Sequence, residues 1–318
     1  MPANLSVNTL RRDYLRHRRT PRDVIEEILS RLLTCEDNSI WISRVPDAEL
    51  RARADGLAAQ DPADLPLYGI PFAIKDNIDL AGLPTTAACP AFAYRPVDSA
   101  PVVERLIAAG AIPVGKTNLD QFATGLVGVR SPYGATRNPV NPEYIAGGSS
   151  SGSAVAVAQG LVSFALGTDT AGSGRVPAAF NGVVGLKPSR GLLSARGVIP
   201  ACRTLDCVSI FTRNATDADA VFQAAAYFDP ADPYGRELAQ APAERRPRFL
   251  FGVPHPDQLE FFGNTGAAQA FQAAMDRLHI MGGEAVTLDF TPFLDAGRLL
   301  YEGPWVAERY LAIADFIQ

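Results

Sequence analysis

The chain has 318 residues, of which 47% are hydrophobic and 20% are charged, as is typical of a folded globular protein with a large core. Its formal net charge of −5 lacks the basic excess of a nucleic-acid-binding protein. No apolar run reaches the roughly 20 residues of a membrane span, and four scattered cysteines with three histidines favour neither a disulfide scaffold nor a metal site. We therefore expect a cytoplasmic protein without metal, cofactor, nucleic acid or membrane partner.

The first region, residues 1–60, is predicted to be mainly helical and charged. Thr20 and Pro21 are the residue types expected at the N-cap and first position of a helix. An apolar stripe follows, formed by Val24, Ile25, Ile28, Leu29 and Leu32. Arginines cluster around this helix start at Arg11, Arg12, Arg16, Arg18, Arg19 and Arg22. We interpret the cluster as a solvated helix face, and a transit peptide or an anion-binding arm is the alternative.

From about residue 65 onward, predicted strands alternate with predicted helices. The strands are Leu67–Ile74, Ala111–Gly115, Leu161–Leu166, Val183–Leu186, Val208–Phe211, Arg248–Val253 and Ala285–Phe290. The helices are Pro101–Gly110, Gly152–Gln159, Thr216–Tyr227, Thr265–Ile280 and a long helix over Leu294–Phe316, kinked at Pro304. Such alternation is typical of an α/β architecture.

A Gly/Ser-rich segment over 147–153 runs directly into the small-residue helix and allows several interpretations. Gly147 and Gly152 have the spacing of a P-loop, but the lysine that would reach the phosphates is missing. Gly148–Gly152 also matches a nucleophile elbow centred on Ser150. An elbow requires a preceding apolar strand, where this chain has a turn-rich segment, and a partner such as His255 or His279.

A second Gly-rich segment, Gly167–Arg175, follows a predicted strand and contains Ser173. Consecutive small residues let backbone N–H groups converge into an anion nest, which beside a serine could serve as an oxyanion hole. A serine nucleophile needs a base, and Lys75 at the end of a buried strand is the candidate, because burial lowers a lysine pKa. The simpler alternative is that Lys75 only pairs with Asp76.

These segments together resemble the amidase signature family. Gly69–Asp76 is similar to its lysine motif, 147–153 to its Gly/Ser motif and Gly167–Arg175 to its nucleophile motif, in the family's order. The resemblance implies an α/β fold with a central mixed β-sheet flanked by helices on both faces. It also implies a Ser-cisSer-Lys triad of Ser173 as nucleophile, Ser149 after a cis peptide bond as bridging serine, and Lys75 as base. The implied oxyanion hole consists of the N–H groups of Thr170, Ala171, Gly172 and Ser173.

Three further segments resemble the allophanate hydrolase branch of the family: Gln121–Gly128, Ala201–Cys207 and Leu300–Tyr310. The resemblance implies that Tyr301 and Arg309 bind the carboxylate of allophanate, and that Gly125 also contacts substrate. Arginine suits this role because its guanidinium binds a carboxylate through two parallel hydrogen bonds. Without the resemblance, Tyr301 and Arg309 would be assigned to an ordinary amphipathic helix.

We therefore expect one amidase domain over residues 1–318, with a helical region at 1–60, the signature core at 65–215 and an α/β remainder at 216–318 that ends before the family's further strands. The expected partner is allophanate, in a homodimer linked functionally to a urea carboxylase or to triazine-degradation enzymes. A broader amidase for neutral amides, a glutamine-amidase subunit of a tRNA-dependent amidotransferase and a non-catalytic scaffold remain alternatives.

Overall fold

A computed structural model describes residues 5–36, 38–237 and 247–318. The described chain divides into two compact units. The first contains the described residues of 1–238 together with 308–318, and the second contains those of 239–307. Each unit is described by itself below.

Eight strands and eleven α-helices are assigned within the described residues. The strands are β1 (Trp41–Arg44), β2 (Pro71–Lys75), β3 (Ile112–Thr117), β4 (Phe164–Asp169), β5 (Val184–Leu186), β6 (Cys207–Thr212), β7 (Phe249–Pro254) and β8 (Gly283–Leu288). The helices are α1 (Val7–Leu15), α2 (Pro21–Thr34), α3 (Asp47–Leu57), α4 (Pro101–Ala108), α5 (Ser151–Ala158), α6 (Arg175–Phe180), α7 (Ala215–Ala225), α8 (Thr265–Ile280), α9 (Thr291–Glu302), α10 (Trp305–Ala312) and α11 (Ala314–Ile317).

The first unit is built on a six-stranded mixed sheet with the order β1-β3-β2-β4-β6-β5. The central strand β2 runs parallel to both β3 and β4, while β1, β5 and β6 pair antiparallel with their neighbours. Helices such as α5 and α7 pack against this sheet. The predicted α/β fold with a central mixed sheet and flanking helices is therefore confirmed. The edge strand β1 was not predicted, because four residues are too few for a clear alternation of apolar and polar positions.

The three strands at the centre of the sheet are buried along their whole length. Parallel strands covered on both faces are expected to be continuously apolar, and β2 and β4 largely follow this rule. The rings of Phe72 on β2 and Phe164 on β4 stack with centroids 5.0 Å apart. Lys75 ends β2, so the polar end of one strand is held rigidly inside the core.

The N-terminal helices are tied to this core by specific polar contacts. Thr20 and Asp23 form a reciprocal capping box at the start of α2, with Pro21 at its first turn, which confirms the predicted helix start. The Asp217 carboxylate on α7 accepts hydrogen bonds from Ser6 Oγ and from the N–H groups of Val7 and Asn8. It therefore caps the first turn of α1 from a position more than 200 residues later in the chain.

Helix α5 explains the small residues that follow the Gly/Ser segment. All but the last of its residues are buried, and it contacts β4, β2 and β6. A Cβ added at Gly152 would lie 2.5 Å from the carbonyl oxygen of Ile40 and 2.7 Å from the backbone nitrogen of Asn118. Only small side chains allow this helix to approach so closely.

The second unit contains the parallel pair β7 and β8, whose register joins Phe249 to Gly283 and Pro254 to Leu288, together with α8 and α9. The predicted single helix over Leu294–Phe316 is wrong. Helix α9 ends at Glu302, and α10 and α11 follow as separate helices. Gly303 and Pro304 separate α9 from α10, since a proline cannot donate the hydrogen bond needed to continue a helix.

Membrane spans, metal clusters and disulfides are all absent from the described residues. Of the helices there, none combines the length and the apolar composition needed to cross a membrane. The same residues contain no group of three or more His, Cys, Asp or Glu side chains placed to hold a metal ion. The four cysteines, all within these residues, form no disulfide.

Candidate active site

Lys75 lies at the end of β2 and is fully buried. Its Nζ is 2.7 Å from Ser149 Oγ and 2.8 Å from Thr168 Oγ1. The neighbouring Asp76 does not pair with it. The Asp76 carboxylate lies 3.1 Å from Lys116 Nζ and accepts hydrogen bonds from the N–H and the hydroxyl of Thr86. Among the described residues, Lys75 is therefore bound to hydroxyl groups alone, and the alternative of a Lys75–Asp76 pair is not what the structure contains.

Burial lowers the pKa of Lys75 from its ordinary value to about 7, because removal from water penalises the ammonium form. The charges of Asp120, Asp206 and Asp169 oppose this effect without reversing it. None of these carboxylates makes a hydrogen bond or an ion pair with Lys75 among the contacts of the described residues. A neutral amine can accept a proton from a hydroxyl, so near neutral pH this environment is suited to a base.

Ser149 lies in the turn that precedes α5. The peptide bond between Gly148 and Ser149 is cis, as the resemblance implies. A Cβ at Gly148 would overlap the Asp120 carboxylate and the backbone nitrogen of Gly128. Asp120 in turn accepts hydrogen bonds from the N–H groups of Gly128 and Arg130. The backbone before Ser149 is therefore packed tightly against the loop that follows β3.

The nucleophile-elbow interpretation finds no support in these contacts. The Ser150 hydroxyl is buried and donates to the carbonyl oxygen of Thr168 at 3.2 Å. His279 contacts the carbonyl oxygen of Gly283, and His255 lies 3.4 Å from Asp257. Both histidines belong to the second unit and make only local contacts there.

Ser173 lies between the end of β4 and the start of α6 and is 3% exposed. The Asp169 carboxylate organises this turn, since it accepts hydrogen bonds from the N–H groups of Gly172 at 2.7 Å and Gly174 at 3.1 Å and pairs with the Arg175 guanidinium. Asp169 was not among the predicted site residues. An aspartate that precedes a Gly-rich turn is a recognisable signal, because its side chain commonly caps nearby N–H groups.

The expected oxyanion hole has fewer available N–H donors than the resemblance implied. The N–H group of Gly172 is already bound to Asp169, so it is not free to bind a developing oxyanion. By contrast, the N–H groups of Thr170, Ala171 and Ser173 have no acceptor among the described residues. The Ser173 hydroxyl likewise makes no hydrogen bond to Ser149 in the described part of the chain. The structure thus joins Lys75 directly to Ser149, and leaves Ser173 without a hydrogen bond to either.

A cavity of about 720 Å³ lies in the first unit. Its lining residues include Gln121, Phe122, Thr124, Pro200, Ala201 and Arg309, and do not include Lys75, Ser149 or Ser173. The Arg309 Nε is buried and has no hydrogen-bond partner among the described residues. The wall of the cavity therefore contains a positively charged hydrogen-bond donor that has no acceptor among the described residues.

The other two expected substrate contacts are placed differently. Gly125 follows the cavity residue Thr124 but does not itself line the cavity. With φ of +157°, it adopts nearly extended backbone, and a Cβ there would lie 2.7 Å from Asp120 Oδ2. Tyr301 lies on α9 in the second unit and is 68% exposed.

The model of the Amidase family matches residues 23–318 of this chain. The chain is 48% identical over 302 residues to a urea amidolyase of Lachancea kluyveri, covering 93% of this chain and 16% of that protein. It is 44% identical over 214 residues to a glutamyl-tRNA(Gln) amidotransferase subunit of Geobacillus kaustophilus, covering 66% of this chain and 44% of that protein.

A solved structure, the allophanate hydrolase of Kluyveromyces lactis, superposes with a TM-score of 0.90 and 45% sequence identity. The match covers 96% of this chain and 51% of the solved chain. The chain therefore spans about a sixth of the urea amidolyase and about half of this solved hydrolase. A family match over most of the chain, with relatives of this identity, leads to one conclusion: the chain belongs to the Amidase family.

Proposed function

We propose that the protein hydrolyses allophanate through an acyl-enzyme, with Ser173 as nucleophile, Ser149 as proton relay and Lys75 as base. The observation that carries the proposal is the fully buried Lys75, whose Nζ contacts Ser149 Oγ at 2.7 Å and no carboxylate in the part of the chain that the structure describes. The similarity to a urea amidolyase and to a solved allophanate hydrolase supports this choice of substrate.

In the proposed reaction, neutral Lys75 accepts the proton of the Ser149 hydroxyl as Ser149 accepts that of Ser173. The Ser173 oxygen then forms a bond to the amide carbonyl carbon, and the carbonyl oxygen becomes an oxyanion. Free N–H groups of Thr170, Ala171 and Ser173 stabilise this charge, since donors fixed in place before the reaction need no reorganisation. The tetrahedral intermediate collapses as the proton returns through Ser149 to the leaving nitrogen, and ammonia departs. Water, activated in the same way, then attacks the acyl carbon and breaks its bond to the Ser173 oxygen. The N-carboxycarbamate released takes up a proton and decomposes to ammonia and carbon dioxide.

Recognition of the substrate carboxylate is assigned to Arg309. Its Nε, which is buried and has no partner among the described residues, and its position in the cavity wall support this role, because a buried donor without an acceptor leaves hydrogen-bonding capacity unused. Tyr301 and Gly125 are proposed as further substrate contacts on the resemblance alone. A site built for a carboxylate should discriminate against neutral amides of similar size, because they leave the arginine unpaired.

The test is ammonia release from allophanate, urea, acetamide and glutamine, measured side by side with the unmodified protein and Ser173→Ala. We expect release from allophanate alone and none above background with Ser173→Ala. Ammonia from allophanate at an unchanged rate in Ser173→Ala would disprove the mechanism. Activity on acetamide would instead identify a broader amidase, and activity on glutamine would favour the role of the glutamyl-tRNA(Gln) amidotransferase to which this chain is also similar.

We further propose a cytoplasmic homodimer that works with an enzyme supplying allophanate, such as a urea carboxylase or an enzyme of triazine breakdown. The absence of a disulfide among the four cysteines, all of which the structure describes, suits a reducing compartment, and the relatives named urea amidolyase support a place in urea use. Light scattering after size-exclusion chromatography measures the dimer directly. A monomer at micromolar concentration would contradict it.

A further inference from the structure

The segment Ala201–Cys207, here called the bridging loop, was singled out by its sequence but has no role in the reaction above. It precedes β6 and forms a compact turn in which the N–H groups of Leu205 and Asp206 both donate to the Cys202 carbonyl oxygen at 2.9 Å. Cys202 and Asp206 are buried. The loop contacts the turn over residues 170–173, here called the oxyanion turn, through Asp206, and it lines the cavity through Ala201.

Thr204, in the middle of the bridging loop, binds the helix that contains Arg309. The Glu308 carboxylate accepts hydrogen bonds from the Thr204 N–H at 2.6 Å and from Thr204 Oγ1 at 2.7 Å. Burial raises the pKa of Glu308, but the hydrogen bonds from Thr204 outweigh this effect and the pKa is lowered. Because Glu308 precedes Arg309 on the same helix, this two-point contact fixes the backbone that carries Arg309 in the cavity wall.

Asp206, near the C-terminal end of the bridging loop, binds the oxyanion turn. Asp206 Oδ1 accepts a hydrogen bond from Thr170 Oγ1 at 2.5 Å, while Oδ2 accepts one from the Ala201 N–H at 2.9 Å. Ala201 itself lines the cavity beside Arg309. A single buried carboxylate thus connects the cavity wall to Thr170, whose N–H group is proposed to bind the oxyanion.

We propose that the bridging loop is a positioning device that sets the carboxylate-binding Arg309 and the oxyanion turn at Thr170 in one fixed arrangement, through Thr204–Glu308 and Asp206–Thr170. This inference rests on the proposed function for the role of Arg309. It assigns two threonine hydroxyls to two different kinetic parameters. The Thr204 hydroxyl governs binding of the anion, and the Thr170 hydroxyl governs stabilisation of the oxyanion.

The first test is Thr204→Val, which keeps the shape of the side chain and removes one hydrogen bond to a charged group. We expect KM for allophanate to rise about tenfold, the equivalent of about 1.4 kcal/mol, with kcat unchanged within twofold. Thr204→Ser restores the hydroxyl and should restore KM. An unchanged KM in Thr204→Val, or an equal rise in Thr204→Ser, would overturn the assignment.

The second test is Thr170→Val, which removes the contact with Asp206 and leaves the backbone N–H in place. We expect kcat to fall about tenfold or more with KM within twofold, and Thr170→Ser should recover the rate. The rate at which a neutral fluorophosphonate labels Ser173 should fall in Thr170→Val and stay unchanged in Thr204→Val. Equal labelling rates in the two variants would contradict the division of roles, and thermal melting curves identify any variant that fails to fold.

The labelling measurement also separates this inference from the proposed function, because it needs no turnover of allophanate. If the unmodified protein releases no ammonia from allophanate, the substrate proposal fails, and the labelling rates still test the contact between the loop and the oxyanion turn.

The double variant Thr170→Val with Thr204→Val tests whether the two contacts are coupled through the loop. Coupling through one rigid loop predicts that its loss in kcat/KM differs from the product of the single losses by about twofold or more, and a purely multiplicative loss would overturn it.

Discussion

Two lysines on neighbouring parallel strands, Lys75 on β2 and Lys116 on β3, are both fully buried but have different partners. Lys116 lies 3.1 Å from the Asp76 carboxylate and donates to Thr85 Oγ1 at 3.0 Å. Within the described residues, the hydrogen-bond partners of Lys75 Nζ are the hydroxyls of Ser149 and Thr168. The comparison separates two uses of a buried amine that the sequence alone makes look alike.

The difference lies in what each environment does to the proton. Burial lowers the pKa of both lysines, but the contact with Asp76 opposes this effect at Lys116 by stabilising its ammonium form. Hydroxyl partners can give a proton to an amine or accept one from it, so they leave both forms of Lys75 satisfied. Lys116 is therefore suited to holding structure together, and Lys75 to exchanging a proton.

The largest expected effect is on catalysis at Lys75. Lys75→Met should lower kcat for allophanate by about 10²- to 10⁴-fold, the usual contribution of a general base, while the protein remains folded. Methionine fills a similar volume, and its introduction leaves no carboxylate without a partner. Ammonia release and thermal melting measure the two halves of this prediction. Unreduced activity would remove Lys75 from the mechanism.

Lys116→Met should have the opposite profile. It leaves the buried Asp76 carboxylate without its cation, so we expect the free energy of unfolding to fall by about 3–5 kcal/mol, as measured by chemical denaturation. The double variant Asp76→Asn with Lys116→Met should recover part of this loss. If Lys116→Met is as stable as the unmodified protein, the assignment of Lys116 to stability and of Lys75 to proton exchange is contradicted.

The pH dependence should report Lys75. Since the neutral amine is the active form and its pKa is about 7, kcat/KM should fall about tenfold for each pH unit below that value and level off above it. The sign follows from the base role, because a protonated Lys75 cannot accept the proton of Ser149. A profile that instead declines as the pH rises through 7 would assign the titrating group to an acid.

The smallest effect is expected at Thr168, which is buried beside Lys75. Thr168→Val removes an acceptor that stabilises the ammonium form more than the amine, so the pKa of Lys75 should fall further. The acid limb of the kcat/KM profile should move down by about 1–2 pH units, as expected for one hydrogen bond to a charged group. Thr168→Ser is the matched control and should keep the original profile. A limb that stays in place in Thr168→Val would show that Thr168 does not influence the proton on Lys75.

Much of the fold could be predicted from the sequence, because most elements carry local signals. The helix Thr265–Ile280 was predicted with the bounds it has in the structure, and the predicted strand Val208–Phe211 lies within β6. The predicted strand Leu161–Leu166 begins three residues before β4, since apolar residues at a strand entrance cannot be told from the strand itself. Gly303 was overlooked, although together with Pro304 it separates two helices.

The candidate site could be predicted in its residue types but not in its pairings. Asp76 is next to Lys75 in sequence, yet its cation is Lys116, forty positions away on the neighbouring strand β3. The sequence likewise does not show that the N–H group of Gly172 is bound to the Asp169 carboxylate and is therefore unavailable to an oxyanion. The contacts of Asp206 and Glu308 depend on chain segments far apart in sequence, and no local pattern encodes such distances.

The cap that Asp217 provides to α1 has a consequence for the order of events during synthesis. Helix α1 leaves the ribosome long before its capping carboxylate exists, because Asp217 is translated some two hundred residues later. A nine-residue helix is too short to persist alone in water. The contact between Tyr14 and Gly69 can form earlier, but the capped first turn of α1 can be completed only after α7 has been translated.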